Sequence, residues 1–169
     1  NTFVLTGTGD VVQPDEGITL VKDGGDLPLS PAKHKRVLLV DLQNGESYFN
    51  FGSTPAHDIF KEMLEAEGFS VERFDASRGM EGLMQASTVV TEKYDVVLYL
   101  AKLVTKSNQT VVRIEWAQPM GANAPVYVTS VPTIFVSVEN PYHLLDAPRV
   151  KTYINAYHSG EITLRAIVD

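Results

Sequence analysis

Mostly apolar runs, separated by polar or helix-period segments, are the main pattern along this chain. Three such runs, at 36–42, 94–101 and 133–138, suit strands that are buried on both faces of a parallel sheet. Shorter strands are predicted at Ile18–Lys22 and Phe69–Asp75. Helix-period segments fall between several of the runs, so the pattern predicts alternating strands and helices joined by crossover connections.

Helical periodicity is clearest after Thr54-Pro55, where a capping hydroxyl and a first-turn proline precede an amphipathic segment. Gly68 is the expected end of this helix. Its apolar stripe consists of Ala56, Ile59, Phe60, Met63 and Leu64.

Four further segments carry weaker patterns. Met80–Val90 is predicted as a helix and Ile162–Val168 as a terminal strand. Ser107–Trp116 favours an extended conformation, with a short helix as the alternative. A last helix is predicted from Ala147, on the i, i+3, i+4, i+7 spacing of Val150, Tyr153, Ile154 and Tyr157.

Together these elements predict a three-layer α/β/α sandwich with a mostly parallel, doubly wound sheet of the flavodoxin-like kind. A length of 169 residues suits one domain, which we expect to span residues 17–169. Residues 1–16 contain the turn-forming stretch Gly7-Thr8-Gly9-Asp10 and are expected to be a lead-in segment outside the domain core.

Charge and cysteine content narrow the class of function. The chain carries 14 basic and 21 acidic side chains, which argues against nucleic-acid binding because phosphate contacts need clustered cations. A cysteine count of 0 excludes a thiol nucleophile and a thiolate metal site, and the 4 histidines lack metal-ligand spacing, so no metal is expected. The apolar runs are too short to span a bilayer. The sequence does not distinguish a bacterial cytoplasmic location from a secreted one.

The polar loop Glu139–Asp146 follows the apolar run at 133–138 and should lie where open α/β sheets place their ligands, at the carboxyl end of a strand. Asn140 and Tyr142 suit sugar contact through an amide and an aromatic face, or form a turn and a core position. His143 is a candidate base near neutral pH, or a packed side chain. We expect Tyr142 and His143 to be partly exposed, and Asp146 to cap the last helix.

Four other residues complete the candidate set for substrate binding or a domain interface. Arg113 and Arg149 could orient a carboxylate or pair with nearby acids. Glu115 and Trp116 lie in the extended segment that precedes the loop.

The run from Ser137 to Tyr157, SVENPYHLLDAPRVKTYINAY, read with Ile18–Lys22 and Leu27-Pro28-Leu29, resembles the C-terminal α/β domain of family 3 glycoside hydrolases. The β-N-acetylglucosaminidase (β-N-acetylhexosaminidase) branch is the closer match. This resemblance implies an N-terminal catalytic barrel in the same polypeptide as partner. It also implies a saccharide substrate with terminal N-acetylglucosamine, from glycans or peptidoglycan fragments.

In that branch the nucleophilic aspartate and an Asp-His pair belong to the barrel, and neither motif occurs in this chain. The resemblance therefore implies no catalytic residue here and no activity for the chain alone. The glucosidase branch draws an acid from its C-terminal domain, which keeps Glu115 or Glu139 as an alternative donor.

Two rival functions follow from the residues themselves. Asn44-Gly45-Glu46 follows a strand and precedes a helix, where flavodoxin-like folds hold phosphate, although it lacks the spacing of a nucleotide-binding loop. The chain could thus be a small-ligand-binding module or a structural interaction domain. No cofactor is expected.

Overall fold

The structure is a computed structural model, and it describes residues 18–43, 56–75, 92–103, 105, 114 and 130–168. A single-turn 3₁₀ segment at Pro141–Leu145 is called the 3₁₀ turn below. The described strands and helices are β1 (Ile18–Lys22), β2 (Arg36–Gln43), α1 (Ala56–Ala66), β3 (Ser70–Asp75), β4 (Val96–Lys102), β5 (Thr133–Val138), β6 (Thr152–Ala156) and α2 (Glu161–Val168).

The six strands form one sheet in the order β1-β6-β5-β4-β2-β3. Strands β2 to β6 are parallel to one another, and among the described strands β1 alone runs antiparallel to them, beside β6. The five parallel strands, numbered along the chain, follow the 2-1-3-4-5 order of flavodoxin-like folds. The predicted α/β sandwich with a mostly parallel, doubly wound sheet is therefore confirmed.

Both described helices cover the same face of the sheet. The apolar cluster on this face contains side chains from both helices and from the strands: Phe60, Leu64, Leu164, Leu39 and Val136. These side chains form one of two apolar clusters, because the strands are buried on both faces and each must be covered. Neither described helix is long and apolar enough to cross a membrane.

The opposite face carries a row of aromatic rings from three neighbouring strands. Phe135 of β5 stacks on Tyr99 of β4 with ring centroids 5.7 Å apart and on Tyr153 of β6 with centroids 5.3 Å apart. Val150 and Ile114 belong to the same buried cluster. The row fixes β4, β5 and β6 against one another through large flat contacts.

The predicted first helix is confirmed as α1. Ala56, Phe60, Met63 and Leu64 of its stripe are buried, and Ile59 is half-buried. Gly68 has φ of +97°, a left-handed conformation that ends the helix, and the Phe69 N–H donates back to the Leu64 carbonyl at 3.1 Å.

The prediction of a helix from Ala147 is wrong, because residues 152–156 form strand β6. Tyr153 points to the aromatic row, whereas Ile154 and Ala156 point to the face covered by α1 and α2. All five residues of β6 are buried. A short segment that is buried on both faces carries no visible period of 2, and the chance spacing of four apolar residues then imitates a helix.

The prediction of a terminal strand at Ile162–Val168 is also wrong, since Glu161–Val168 form helix α2. Leu164 is fully buried, while Ile167 and Val168, three and four residues later, pack against the same cluster. This i, i+3, i+4 stripe lets α2 pack on the sheet beside α1.

Several predicted elements lie outside the described residues: the lead-in segment 1–16, the helix Met80–Val90, the loop Asn44-Gly45-Glu46 and, except for Ile114, the segment Ser107–Trp116.

Candidate functional site

The loop Glu139–Asp146 lies at the carboxyl end of β5, an interior strand between β4 and β6, as predicted. Asn140 caps the 3₁₀ turn that follows: its side-chain oxygen accepts the Tyr142 N–H at 3.0 Å. Pro141 occupies the first position of the turn, where no backbone donor is needed. The turn-forming role that the sequence offered for Asn140 is therefore what the structure shows, and sugar contact by its amide stays a prediction.

His143 is held beneath the turn by the strand that precedes it. Its Nδ1 lies 2.6 Å from Ser137 Oγ, and the Ser137 hydroxyl donates to the Asn140 carbonyl at 2.5 Å. His143 is fully buried, so the expectation that it is partly exposed is wrong. Burial lowers the pKa of His143 to about 4, because the charged imidazolium would lose its hydration.

Asp146 ends the 3₁₀ turn rather than starting a helix. Its backbone N–H donates to the His143 carbonyl at 3.0 Å, and its carboxylate accepts the Ile114 N–H at 3.1 Å. The predicted capping of a following helix is wrong because that segment leads into β6. Asp146 instead ties the turn to residue 114.

Glu139 is the one non-glycine residue with positive φ in the described part of the chain, at +69°. Its N–H donates to the Ala156 carbonyl at 2.8 Å, which extends the pairing of β5 and β6 by one residue. Its carboxylate accepts a hydrogen bond from the Ser159 hydroxyl and lies 3.3 Å from Lys102 Nζ. One side chain thus joins the carboxyl ends of β4, β5 and β6.

The backbone conformation of Glu139 has an energetic cost. A left-handed conformation costs a residue with a Cβ about 1–2 kcal/mol. The ion pair with Lys102 recovers about 0–1 kcal/mol, because the two side chains are 28% and 29% exposed and remain near water. A glycine would avoid the backbone cost, but it would lose the contacts of the carboxylate with Lys102 and Ser159.

Four large apolar side chains are exposed around this carboxyl edge and are called the edge patch: Tyr142 (68% exposed), Leu145 (69%), Tyr157 (53%) and Ile162 (78%). Tyr142 is exposed as predicted. The first two lie in the 3₁₀ turn, the third directly follows β6, and the fourth lies in the first turn of α2. Exposed apolar side chains are common on surfaces that bind partners, which makes the edge patch a candidate contact surface.

A second polar network, which the sequence did not suggest, lies at the carboxyl end of β2. His57 Nε2 of α1 is 2.5 Å from Asp41 Oδ1 and 3.2 Å from the Leu100 carbonyl oxygen. Arg73 pairs with Asp41, and also with Asp58 at 2.5 Å. The available signal was Asp41 itself, an acid within an apolar strand that needs a buried partner.

Of the remaining candidate residues, the structure describes Arg149, which is not brought to the edge patch. Lys22, at the end of β1 that pairs with the start of β6, donates to the Pro148 carbonyl at 3.0 Å. The exposed Arg149 therefore lies near the amino end of β6, away from Tyr142. Arg113, Glu115 and Trp116 lie outside the described residues. Within the described segments, no group of three metal-ligating side chains is gathered.

Comparison with known proteins gives one curated relative with high identity. The chain is 54% identical over 153 residues to a beta-N-acetylglucosaminidase/beta-glucosidase of Cellulomonas fimi, a match that covers 89% of this chain and 27% of the relative. The chain thus spans about a quarter of the length of that protein. No family model matches the chain.

Solved structures that are similar to this chain also match it over only part of their own length. A beta-glucoside phosphorylase is 42% identical, with a TM-score of 0.71, over 91% of this chain and 27% of its own. A glycoside hydrolase family 3 beta-N-acetylglucosaminidase of Paenibacillus is 19% identical, with a TM-score of 0.61, over 99% of this chain and 32% of its own. The last match shows shared fold alone.

Proposed function

The chain resembles the C-terminal α/β domain of family 3 glycoside hydrolases, and we propose on that premise that it is the accessory domain of a β-glycoside-cleaving enzyme. The observation that carries the proposal is 54% identity over 153 residues to a part of a beta-N-acetylglucosaminidase/beta-glucosidase. The catalytic domain is a separate part of the same polypeptide. The substrate class is a β-linked terminal N-acetylglucosamine, from glycans or peptidoglycan fragments, with β-glucosides as a second substrate.

In this proposal the edge patch contacts the catalytic domain. The relative is nearly four times as long as the matched segment, since the match covers 27% of it, so a large part of such a polypeptide is available to cover exposed side chains. Tyr142 and Leu145 have the size and apolar character that interface cores favour. Asn140 and Tyr142 would edge the substrate site from the side of this domain.

The described residues also support the proposal that this chain does not cleave glycosides alone. Glycoside hydrolysis needs two carboxyl groups, or a substitute for one of them, about 5 to 10 Å apart on either side of the scissile bond. Glu139 is held by Lys102 and Ser159, and the Asp146 carboxylate accepts the Ile114 N–H. Both acids have structural partners.

The test compares two proteins, the isolated chain and the longer polypeptide that contains it, on chromogenic β-N-acetylglucosaminide and β-glucoside substrates. We expect turnover by the longer polypeptide alone. Turnover by the isolated chain that persists through repurification and is lost in Glu139→Gln would contradict the proposal and make Glu139 a proton donor.

A second candidate reaction is phosphorolysis, which the 42% identity to part of a beta-glucoside phosphorylase favours. In that reaction the glycosidic C–O bond breaks, the leaving oxygen takes a proton, and the glycosyl group is transferred finally to a phosphate oxygen instead of to water. Measuring turnover with and without inorganic phosphate, and assaying sugar 1-phosphate, separates the two reactions. Free sugar formed at a rate independent of phosphate would identify a hydrolase.

A further inference from the structure

Glu139 combines a backbone conformation that costs stability with a carboxylate that joins separate segments of the sheet edge. Its backbone is left-handed, at φ of +69°, and its carboxylate contacts residues from two other strand ends. Glycine is the usual residue for such a backbone position, because it has no Cβ to clash. A strained residue at the ligand edge of an α/β sheet indicates a functional constraint.

The carboxylate joins segments that are far apart in sequence. Lys102 is the last residue of β4, and Ser159 lies between β6 and α2. Glu139 itself immediately precedes the 3₁₀ turn. The side chain therefore fixes the turn that carries Tyr142 and Leu145 relative to the loop that follows Tyr157.

We propose that Glu139 is a positioning residue that holds these two loops in one fixed arrangement for contact with the catalytic domain. This inference rests on the proposed function, and it assigns Glu139 no proton transfer. The left-handed backbone turns the chain sharply after β5, so that the Asn140 carbonyl reaches the Ser137 hydroxyl at 2.5 Å. The carboxylate then fixes the neighbouring loop to that turn.

The experiment uses the longer polypeptide that contains this chain. Glu139→Gly keeps the left-handed backbone and removes the carboxylate, while Glu139→Gln keeps an acceptor for Ser159 and removes the charge beside Lys102. The matched control is Glu72→Gln, which removes another exposed glutamate–lysine pair, 2.7 Å from Lys93 and remote from the carboxyl edge. Three quantities are measured: kcat/KM on β-N-acetylglucosaminide and β-glucoside at 25 °C, the melting temperature, and hydrogen exchange of peptides covering 141–145 and 157–160.

For Glu139→Gly we expect an unchanged or higher melting temperature, faster exchange in both peptides, and a fall in kcat/KM of about tenfold or more, because misplaced contacts remote from the chemistry reduce rates strongly. Glu139→Gln should recover part of the activity, and Glu72→Gln should match the unsubstituted protein. Exchange in Glu139→Gly that equals that of the unsubstituted protein overturns the inference, and so does a large loss of melting temperature. An unsubstituted polypeptide that cleaves neither substrate overturns the proposed function instead, and the exchange measurement then decides the role of Glu139 by itself.

Discussion

Ser137 Oγ lies 2.6 Å from His143 Nδ1, and neither side chain is exposed. The Ser137 hydroxyl has one proton, which it donates to the Asn140 carbonyl, so Nδ1 must donate to Oγ. Because burial lowers the pKa of His143 to about 4, the ring is neutral near pH 7 and its lone pair lies on Nε2, an atom that has no hydrogen-bond partner among the described residues. The turn after β5 is therefore attached to the strand by a buried histidine that the fold holds in its uncharged form.

The first prediction is a loss of stability as the pH falls from about 6.5 to about 4. Burial lowers the pKa of His143 from 6.5 to about 4 in the folded protein, so the unfolded chain takes up the proton first. The contribution of His143 is complete above pH 6.5 and is lost towards pH 4, by about 3 kcal/mol. Urea denaturation at a series of pH values measures the slope.

The test variant is His143→Gln. The control is His158→Gln, because His158 is exposed and follows β6. His143→Gln should flatten the slope in this pH range, whereas His158→Gln should keep it. An unchanged slope in His143→Gln would mean that His143 is not the titrating group.

The second prediction contrasts a buried ion pair with a surface pair. Asp41→Ala removes the carboxylate that contacts His57 and Arg73, and we expect a loss of about 3 kcal/mol, at the low end for a buried pair because Arg73 is 35% exposed. Asp95→Ala removes the pair with Arg36, whose side chain is 52% exposed, together with the acceptor of the Arg36 N–H at 2.9 Å, and should cost less than Asp41→Ala. Equal losses in urea denaturation would show that burial does not distinguish the two pairs.

The third prediction concerns the packing of α1 on the sheet. Leu64 is 4% exposed within the apolar cluster, so Leu64→Ala should destabilise by about 2–5 kcal/mol through lost contacts and a cavity. Glu62→Ala, two residues earlier on the exposed face, should change stability by about 0.5 kcal/mol or less. Thermal denaturation that gives similar values for both would mean that the helix face is wrongly assigned.

The sequence predicts the strands and the helix whose patterns are long or have clear ends. Strand β4 is a continuous apolar run, and α1 has a five-residue stripe with glycine at its end. The sequence predicts a helix where β6 forms and a strand where α2 forms. Segments of five to eight mostly apolar residues fit both the helical and the strand period. Neighbouring elements decide such segments: β6 pairs with β5 and β1, and α2 packs beside α1.

The position of the candidate site was predictable and its internal contacts were not. Strand order places the loop after β5 at the carboxyl edge whatever its residues are. The burial of His143 depends on a hydroxyl six residues upstream, and the left-handed backbone of Glu139 has no sequence signal because glutamate rarely adopts it. The contact between His143 and Ser137 depends on the folded shape of the turn, which the order of the residues does not reveal.

The last prediction separates the exposed side chains of the 3₁₀ turn from the buried one. Tyr142 and Leu145 are 68% and 69% exposed, so the double variant Tyr142→Ala/Leu145→Ala should change the free energy of unfolding by about 0.5 kcal/mol or less per site. His143→Ala removes a fully buried ring that lies 6.4 Å from the Phe135 ring centroid, and we expect a loss of about 2–4 kcal/mol. Thermal or urea denaturation of the variants measures both effects.

In the longer polypeptide the double variant, which should barely change stability, is expected to change activity. If the edge patch forms that contact, Tyr142→Ala/Leu145→Ala weakens activity in the longer polypeptide while leaving this domain folded, because truncated interface side chains cost binding rather than stability. A matched control is Val21→Ala, which removes an exposed apolar side chain, 50% exposed, on the edge strand β1 beside the amino-terminal half of β6. Activity in the double variant equal to that of Val21→Ala would show that the edge patch is not the contact surface, whereas a double variant that unfolds would show that these side chains pack within the domain.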